Sequence, residues 1–257
     1  MHQRFDEPLD ELRESHSPEA IRERLAEGPR HSNLGDFVLG AIDGAITTFA
    51  VVAGAVGADL SAGIIVVLGV ANLVADGFSM GIGVFLGGRA EDQEVDRLRS
   101  MIETHVEVFP EGDREAIRQI YAARGFHGED LEKAVRIVTS DSDRWVDEIL
   151  HELHGVMSVP ASAVRAGTVT FLAFMVVGVI PLVIFIANVA LGGDIPSPFL
   201  WSAILTGGAF FLIGAIKSRF VAGHWWYEGL ETLLIGGIAA LLAYGVGVAL
   251  RGIVDSV

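Results

Sequence analysis

The chain of 257 residues contains no cysteine. Disulfide bonds, thiolate metal sites and cysteine nucleophiles are therefore excluded. Lysine is scarce too, because only two of the 18 basic residues are lysine, a bias that favours a GC-rich, prokaryotic source. No stretch alternates strictly between apolar and polar residues, so no β-strand is predicted. The first 36 residues are polar and lack the apolar core of a cleavable signal peptide, so we expect the first apolar helix to direct insertion.

Basic residues are also in the minority. Acids outnumber bases 33 to 18, which gives a net charge of −15 and argues against a nucleic-acid partner. An acidic balance suits the handling of cations, and it equally suits a solvated acidic surface. By contrast with the few basic residues, 51% of the residues are hydrophobic. The mean hydropathy of +0.48 is high for a soluble domain and predicts a membrane protein.

Five charge-poor stretches are long enough to cross the ~30 Å hydrocarbon core of a bilayer, which takes about 20 helical residues. Their charged boundaries are Asp36 and Asp59, Asp59 and Arg89, Arg165 and Asp194, Asp194 and Lys217, and Glu231 and Arg251. Pro181 is expected to kink the third span. We therefore predict an all-α polytopic membrane protein with five transmembrane helices and a small helical domain inserted between helices two and three.

The predicted organisation has four parts. Residues 1–33 form a cytoplasmic N-terminal segment, 34–88 the first two spans, 89–158 a cytoplasmic acidic helical domain, and 159–257 spans three to five. Between residues 89 and 155 the insert holds 17 acids and 9 bases. Its apolar residues recur every three or four positions in four runs, which predicts four helices. The segment PEG at 110–112 should end the first run, with Asp113 capping the second.

The positions of the bases predict orientation. With the N-terminus in the cytoplasm, 17 of the 18 Lys and Arg residues lie on the cytoplasmic side and only Arg251 lies outside. This distribution follows the positive-inside rule. Two loops, GADLSAG and LGGDIPSP, contain no base and are predicted to lie on the opposite side.

Polar residues inside the first two spans carry the candidate chemistry. They are Asp43 and Thr47 in span one, and Asn72, Asp76, Ser79 and Met80 in span two. Spacing by four places Asn72, Asp76 and Met80 on one helix face. A charged side chain at bilayer depth costs at least ~2.5–3.5 kcal/mol, so such carboxylates usually serve ion pathways. The alternative is a protonated carboxyl group that caps or cross-links helices.

The insert offers a second group of candidate metal ligands. They are Glu103, Glu107, Glu111, Glu115, Glu148, His151 and Glu152. Facing helices that each present Glu, or Glu with His three residues later, bind iron in helical bundles. The alternative for each pair is a solvated acidic surface. Only one Glu-x-x-His pair, Glu148 with His151, occurs in the insert.

Two segments in the first two spans resemble a known family. The segments DGAITTFAVVAG, which begins at Asp43, and GVANLVADGFSMGIG, from Gly69 to Gly83, are similar to the first two helices of vacuolar iron transporters. The later apolar segments fit helices three to five of that family. The resemblance implies five membrane helices, a homodimer, and exchange of cytoplasmic Fe²⁺, and often Mn²⁺, for protons. It also implies that Asp43 of the DG motif and Met80 of the SMG motif line the path.

The insert departs from the family pattern. The resemblance implies an acidic metal-binding domain at this position, yet Ile149 and Leu150 stand where a pair of methionines is expected. Val84 stands where the family commonly has an acid after the SMG motif. The transport core therefore matches well and the insert matches loosely.

The resemblance, together with the carboxylates in the first two spans, predicts a transporter that exports Fe²⁺ in exchange for protons, with Mn²⁺, Co²⁺ and Zn²⁺ left open as substrates. No tightly bound cofactor is expected, because the cation is the cargo. Two alternatives remain: a ferroxidase-like site in the insert, and a metal-sensing membrane protein without transport. The expected location is a prokaryotic cytoplasmic membrane, or a vacuolar membrane if the source is eukaryotic.

Overall fold

The computed structural model describes residues 8–27, 32–156, 162–219 and 223–254. Every regular element within these ranges is an α-helix, which confirms the predicted fold class. The helices are α1 (Leu9–Ser15), α2 (Pro18–Glu27), α3 (Leu34–Gly57), α4 (Ala62–Val108), α5 (Pro110–Ala123), α6 (Gly128–Val138), α7 (Ser142–His154), α8 (Ala163–Gly178), α9 (Ile180–Ala190), α10 (Pro198–Lys217) and α11 (Trp225–Val254).

The chain divides into two compact units, with the boundary inside α4 between Leu86 and Gly87. The membrane unit contains α3, α4 up to Leu86, and α8 to α11. The insert unit contains α4 from Gly87 together with α5, α6 and α7. Four helices of the described chain, α3, α4, α10 and α11, are each long and apolar enough to cross a membrane. The protein is therefore an integral membrane protein.

The third predicted span is broken rather than straight. Helices α8 and α9 meet at an angle of 47°, and the pair raises the number of crossings to five if it counts as one span. Pro181 lies in the first turn of α9, where its ring cannot donate the backbone hydrogen bond that would continue α8. The hydroxyl of Ser202 on α10 donates to the Pro181 carbonyl at 2.6 Å and supports the bend. The predicted kink is confirmed.

Glycines allow α3 to approach two helices closely. Gly40 and Gly44 lie against the backbone of α8, and a Cβ atom at Gly44 would lie 2.5 Å from the carbonyl oxygen of Phe174. Toward its other end, Gly57 packs on α11, where Gly247 lies against the backbone of α3 in turn. Small residues at these spacings are how membrane helices pack without a hydrophobic driving force. Helix α3 is consequently held between α8 and α11.

The insert unit has its own apolar core. Ile102 of α4 packs with residues from the three following helices, among them Ile117, Val135 and Val146. Four helical runs were predicted here, and all four are present. The expected cap is wrong, however: α5 begins at Pro110, one residue after Phe109, and Asp113 lies within its first turn. Proline is well suited to that first position, since its missing N–H would be unpaired there anyway.

Candidate functional site

Asp43 lies on α3 between Gly40 and Gly44, the two glycines that pack on α8. Because a Cβ atom at either position would collide with a backbone carbonyl of α8, no larger side chain fits there without moving a helix. The rotation and depth of the turn that carries Asp43 are thereby fixed. The side chain itself is half-buried.

Asp76 and Met80 lie on α4, and each is followed by a glycine that also packs on α8. A Cβ atom at Gly77 would lie 3.1 Å from the ring of Phe174, and Gly81 lies against the preceding turn of α8. Phe174, which is fully buried, thus contacts the glycine that follows Asp76 and, through its carbonyl, the glycine that follows Asp43. Helix α8 is the common support of both motif-bearing helices.

These contacts bring the two membrane carboxylates together. Asp43 and Asp76 are close enough for a direct Coulombic interaction. Met80 is half-buried against the same apolar cluster as Ile42 and Ile46, which lie one residue before and three residues after Asp43. Carboxylate oxygens with a thioether are a mixed hard and soft donor set, which suits borderline divalent transition metals. Either carboxylate can also hold a proton.

The three other predicted path residues have different surroundings. The Thr47 hydroxyl donates to the backbone carbonyl of Asp43 at 2.8 Å, so it stabilises the helix turn. The side-chain nitrogen of Asn72 is buried without an acceptor among the described residues. Ser79 is exposed, on the same face of α4 as Ile82 and Leu86, which are also exposed. Asp43 and Asp76 therefore lie near each other, whereas Thr47 bonds its own helix and Ser79 lies on an exposed face of α4.

In the insert unit, arginine binds the acids of the last helix. Arg124 donates to Glu148 at 2.6 Å and contacts Glu152 at 2.8 Å, while His151 contacts the same Glu152 oxygen at 2.7 Å. These hydrogen bonds, first from His151 and then from Arg124, lower the pKa of Glu152. Arg124 also lies over the ring of Tyr121, 4.9 Å from its centroid. The three residues predicted as ligands share one face, and a guanidinium group already bridges two of them.

The remaining predicted ligands of the insert are either bound to arginine or exposed. Arg118 binds Glu115 and, at 2.9 Å, Glu132. Hydrogen bonds from Gln119 and Arg118 lower the pKa of Glu115. Arg99 lies 3.7 Å from Glu103 and also binds Asp147. The last two candidates, Glu107 and Glu111, are exposed.

No group of three or more His, Asp and Glu side chains within the described residues is arranged to hold a metal ion. The insert therefore presents paired charges, and a cation would have to compete with arginine for Glu148 or Glu152.

Two supporting features of the membrane unit carried little signal in the sequence. Phe174 is one of many apolar residues, and only its contacts with two glycines single it out. Glu228, in the first turn of α11, pairs with Lys217 of α10 at 2.9 Å. This pair joins the adjoining ends of α10 and α11, and the sequence alone could not show which base meets which acid.

Comparison with known proteins agrees with the motifs. The model of the VIT family matches residues 34–248. A vacuolar iron transporter of Toxoplasma gondii is 32% identical over 96% of this chain and 86% of its own length. One from Plasmodium falciparum is 28% identical over 85% of this chain and 82% of its own length. Vacuolar iron transporter 1 of Arabidopsis thaliana is 26% identical over 81% and 82%, respectively. The family match extends across both units, and this chain belongs to the VIT family.

Proposed function

We propose that this protein transports Fe²⁺ out of the cytoplasm across a membrane in exchange for protons, with Mn²⁺ as a second substrate. The observation that carries the proposal is that buried Phe174 contacts both the glycine after Asp43 and the glycine after Asp76, while Met80 packs on the apolar cluster that contains Phe174. The relatives described above are named vacuolar iron transporters, which supports iron as the cargo. The likeness to that family also supports a homodimer.

The proposed coupling follows from the chemistry of two neighbouring carboxylates. Two negative charges held close together in a medium of low dielectric repel each other, and a bound cation or proton relieves that repulsion. A divalent metal ion and protons therefore compete for Asp43 and Asp76. Protons arriving from the far side would release the metal there, and loss of those protons to the cytoplasm would restore the site for the next metal ion.

We propose that the insert gathers cations on the cytoplasmic side, in line with its excess of acids. Glu107 and Glu111 are exposed, and the acids bound to Arg99, Arg118 and Arg124 would become available as those arginines exchange partners. The ferroxidase alternative gains no support from the described residues, since they contain one Glu-x-x-His pair and Arg124 bridges its face. We place the protein in a prokaryotic cytoplasmic membrane with a cytoplasmic N-terminus.

The test is metal transport by the purified full chain in proteoliposomes with a pH gradient. Asp43→Asn keeps the size of the side chain and removes its charge, so we expect Fe²⁺ uptake and the accompanying proton flux both to fall to background. Asp194→Asn is the matched control, because Asp194 is exposed in the loop between α9 and α10. Parental Fe²⁺ uptake by the Asp43→Asn protein would overturn the proposal. Fe²⁺ uptake by the unaltered protein without an accompanying proton flux would leave transport standing and remove the exchange.

A further inference from the structure

A groove along the seam between α10 and α11 has no part in the proposed cation path. It is a cavity of about 390 Å³ lined almost entirely by apolar atoms. At one end the rings of Phe199 and Tyr244 stack with their centroids 6.3 Å apart, and the groove reaches Phe210 and Leu233 at the other. Leu241, on its wall, is 73% exposed, so the groove opens toward the outside of the helix bundle.

The groove has the depth of one bilayer leaflet. Between Phe199 and Phe210, α10 advances by roughly 16 Å at 1.5 Å per residue. That distance is about half of the ~30 Å hydrocarbon core. Phe199 lies in the first turn of α10, directly after the α9–α10 loop. The groove therefore starts near the membrane surface on the side of that loop and ends near the bilayer centre.

Missing side chains create the space. A Cβ atom at Gly237 would have no neighbour within 4 Å, and one at Gly207 would meet only Leu233, at 3.3 Å. Both glycines line the groove. An apolar space of this size forfeits dispersion contacts unless something fills it. In a membrane-spanning bundle, the molecules that reach an outward-facing apolar groove are lipids.

We propose that this groove binds one hydrocarbon chain of a membrane lipid from the leaflet on the side of the α9–α10 loop. Among the described residues that line the groove, only Tyr244 has a polar side chain, so the groove suits neither an ion nor a polar ligand. Side chains of a second copy are the alternative occupant, and the mass measurement below separates them from lipid. The volume is within the range of small-molecule pockets, about 300–1,000 Å³.

The experiment compares two glycine variants of the full chain. Gly237→Leu places a branched side chain in the groove, where there is room for it. Gly245→Leu adds the same side chain to the same helix at a position that is also open and does not line the groove. The proteins are reconstituted in dioleoyl phosphatidylcholine, extracted in detergent, and studied by native mass spectrometry. We expect the parent and Gly245→Leu proteins to retain one more lipid per chain than the Gly237→Leu protein.

A second measurement identifies the bound part of the lipid. The four native tryptophans are first replaced by phenylalanine. Vesicles of phosphatidylcholine with dibrominated acyl chains should then quench a tryptophan introduced as Leu241→Trp more strongly in that protein than in one that also carries Gly237→Leu. Equal lipid retention by the two glycine variants would overturn the proposal. So would a change in oligomeric mass without a change in lipid number, which would mark the seam as a subunit contact. Neither readout uses metal transport, so the proposed transport function can fail or stand independently.

Discussion

The two units of this protein place their acidic side chains by different physical means. In the membrane unit, Asp43 and Asp76 are each followed by a glycine, and helix packing on α8 sets their positions. In the insert unit, acids are numerous and arginines bind them, as Arg124 binds Glu148 and Glu152. A charge in water is easily held by a partner of opposite sign. A carboxylate at bilayer depth that exchanges a cation, as proposed for Asp43, is better held by its backbone, because a permanent arginine partner would block it.

Among the substitutions considered, those that disturb the packing of α3 on α8 should reduce transport and stability the most. Gly44→Ala puts a methyl group 2.5 Å from the carbonyl of Phe174, a backbone atom that cannot turn aside. We expect a loss of stability of about 1–3 kcal/mol. We also expect transport to fall about 100-fold, since a 1 Å displacement of a functional group can cost that much. Fe²⁺ uptake in proteoliposomes and thermal unfolding in detergent measure the two effects.

Gly35→Ala is the control for this change, because a Cβ atom at Gly35 in the same helix meets nothing within 4 Å. It should transport at the parental rate. If Gly44→Ala also transports at that rate, the glycine contact does not position Asp43.

The effect of the Met80 sulfur can be distinguished from the effect of the side-chain volume. Met80→Leu retains most of the volume and removes the sulfur, so we expect the preference for Fe²⁺ over the harder Mn²⁺ to fall about tenfold, with a much smaller change in protein stability. Met101→Leu is the control, since it removes a thioether from the part of α4 that belongs to the insert unit. The measurement is competition between the two metals for uptake. Equal shifts in both variants would show that the Met80 sulfur does not set the preference.

Much of this architecture was predictable from the sequence because long apolar runs leave few options. The all-α class, the bend at Pro181 and the four helical runs of the insert all followed from hydropathy, spacing and one proline. The motif residues were found because a carboxylate among apolar residues is costly and therefore conspicuous.

What could not be predicted depends on contacts between distant segments. Helical spacing placed Glu148, His151 and Glu152 on one face, but it could not show that Arg124, from another helix, bridges that face. The cap at Asp113 was mispredicted because both Asp and Pro can begin a helix, and here Pro110 does. The neighbouring sequence of Phe174 does not indicate its role, because that role depends on contacts with Gly44 and Gly77 on two other helices.

Substitution of Arg124 in the insert should change metal affinity by an intermediate amount. Arg124→Gln frees Glu148 and Glu152, so we expect the full chain to bind Mn²⁺ about fivefold more tightly, as loss of a competing ion pair worth ~1 kcal/mol implies. Arg136→Gln removes the same charge from the same unit, where Arg136 makes no ion pair with the described residues closer than 4 Å. Isothermal titration calorimetry in detergent would compare them. A fivefold gain in both variants would mean that the net charge of the insert controls the affinity, and not the release of Glu148 and Glu152 from Arg124.

The smallest expected effect concerns Asp113, where the insert holds an acid without an arginine. One of its carboxylate oxygens is buried with no hydrogen-bond partner among the described residues, and burial raises its pKa despite an opposing contribution from His105. A carboxyl group whose pKa is higher in the folded state destabilises that state when it is ionised, and protonation removes the penalty as the pH falls through the raised pKa. Asp113→Asn should therefore stabilise the insert at pH 7 by less than about 1 kcal/mol, because solvent screens a partly exposed carboxylate, and the advantage should shrink toward acidic pH. The ring nitrogen of Trp145 donates to the Asp113 carbonyl at 3.4 Å, so denaturation followed by Trp145 fluorescence, in a chain whose other three tryptophans are replaced by phenylalanine, measures this locally. An advantage that stays constant as the pH falls would mean that the ionisation of Asp113 is not its source.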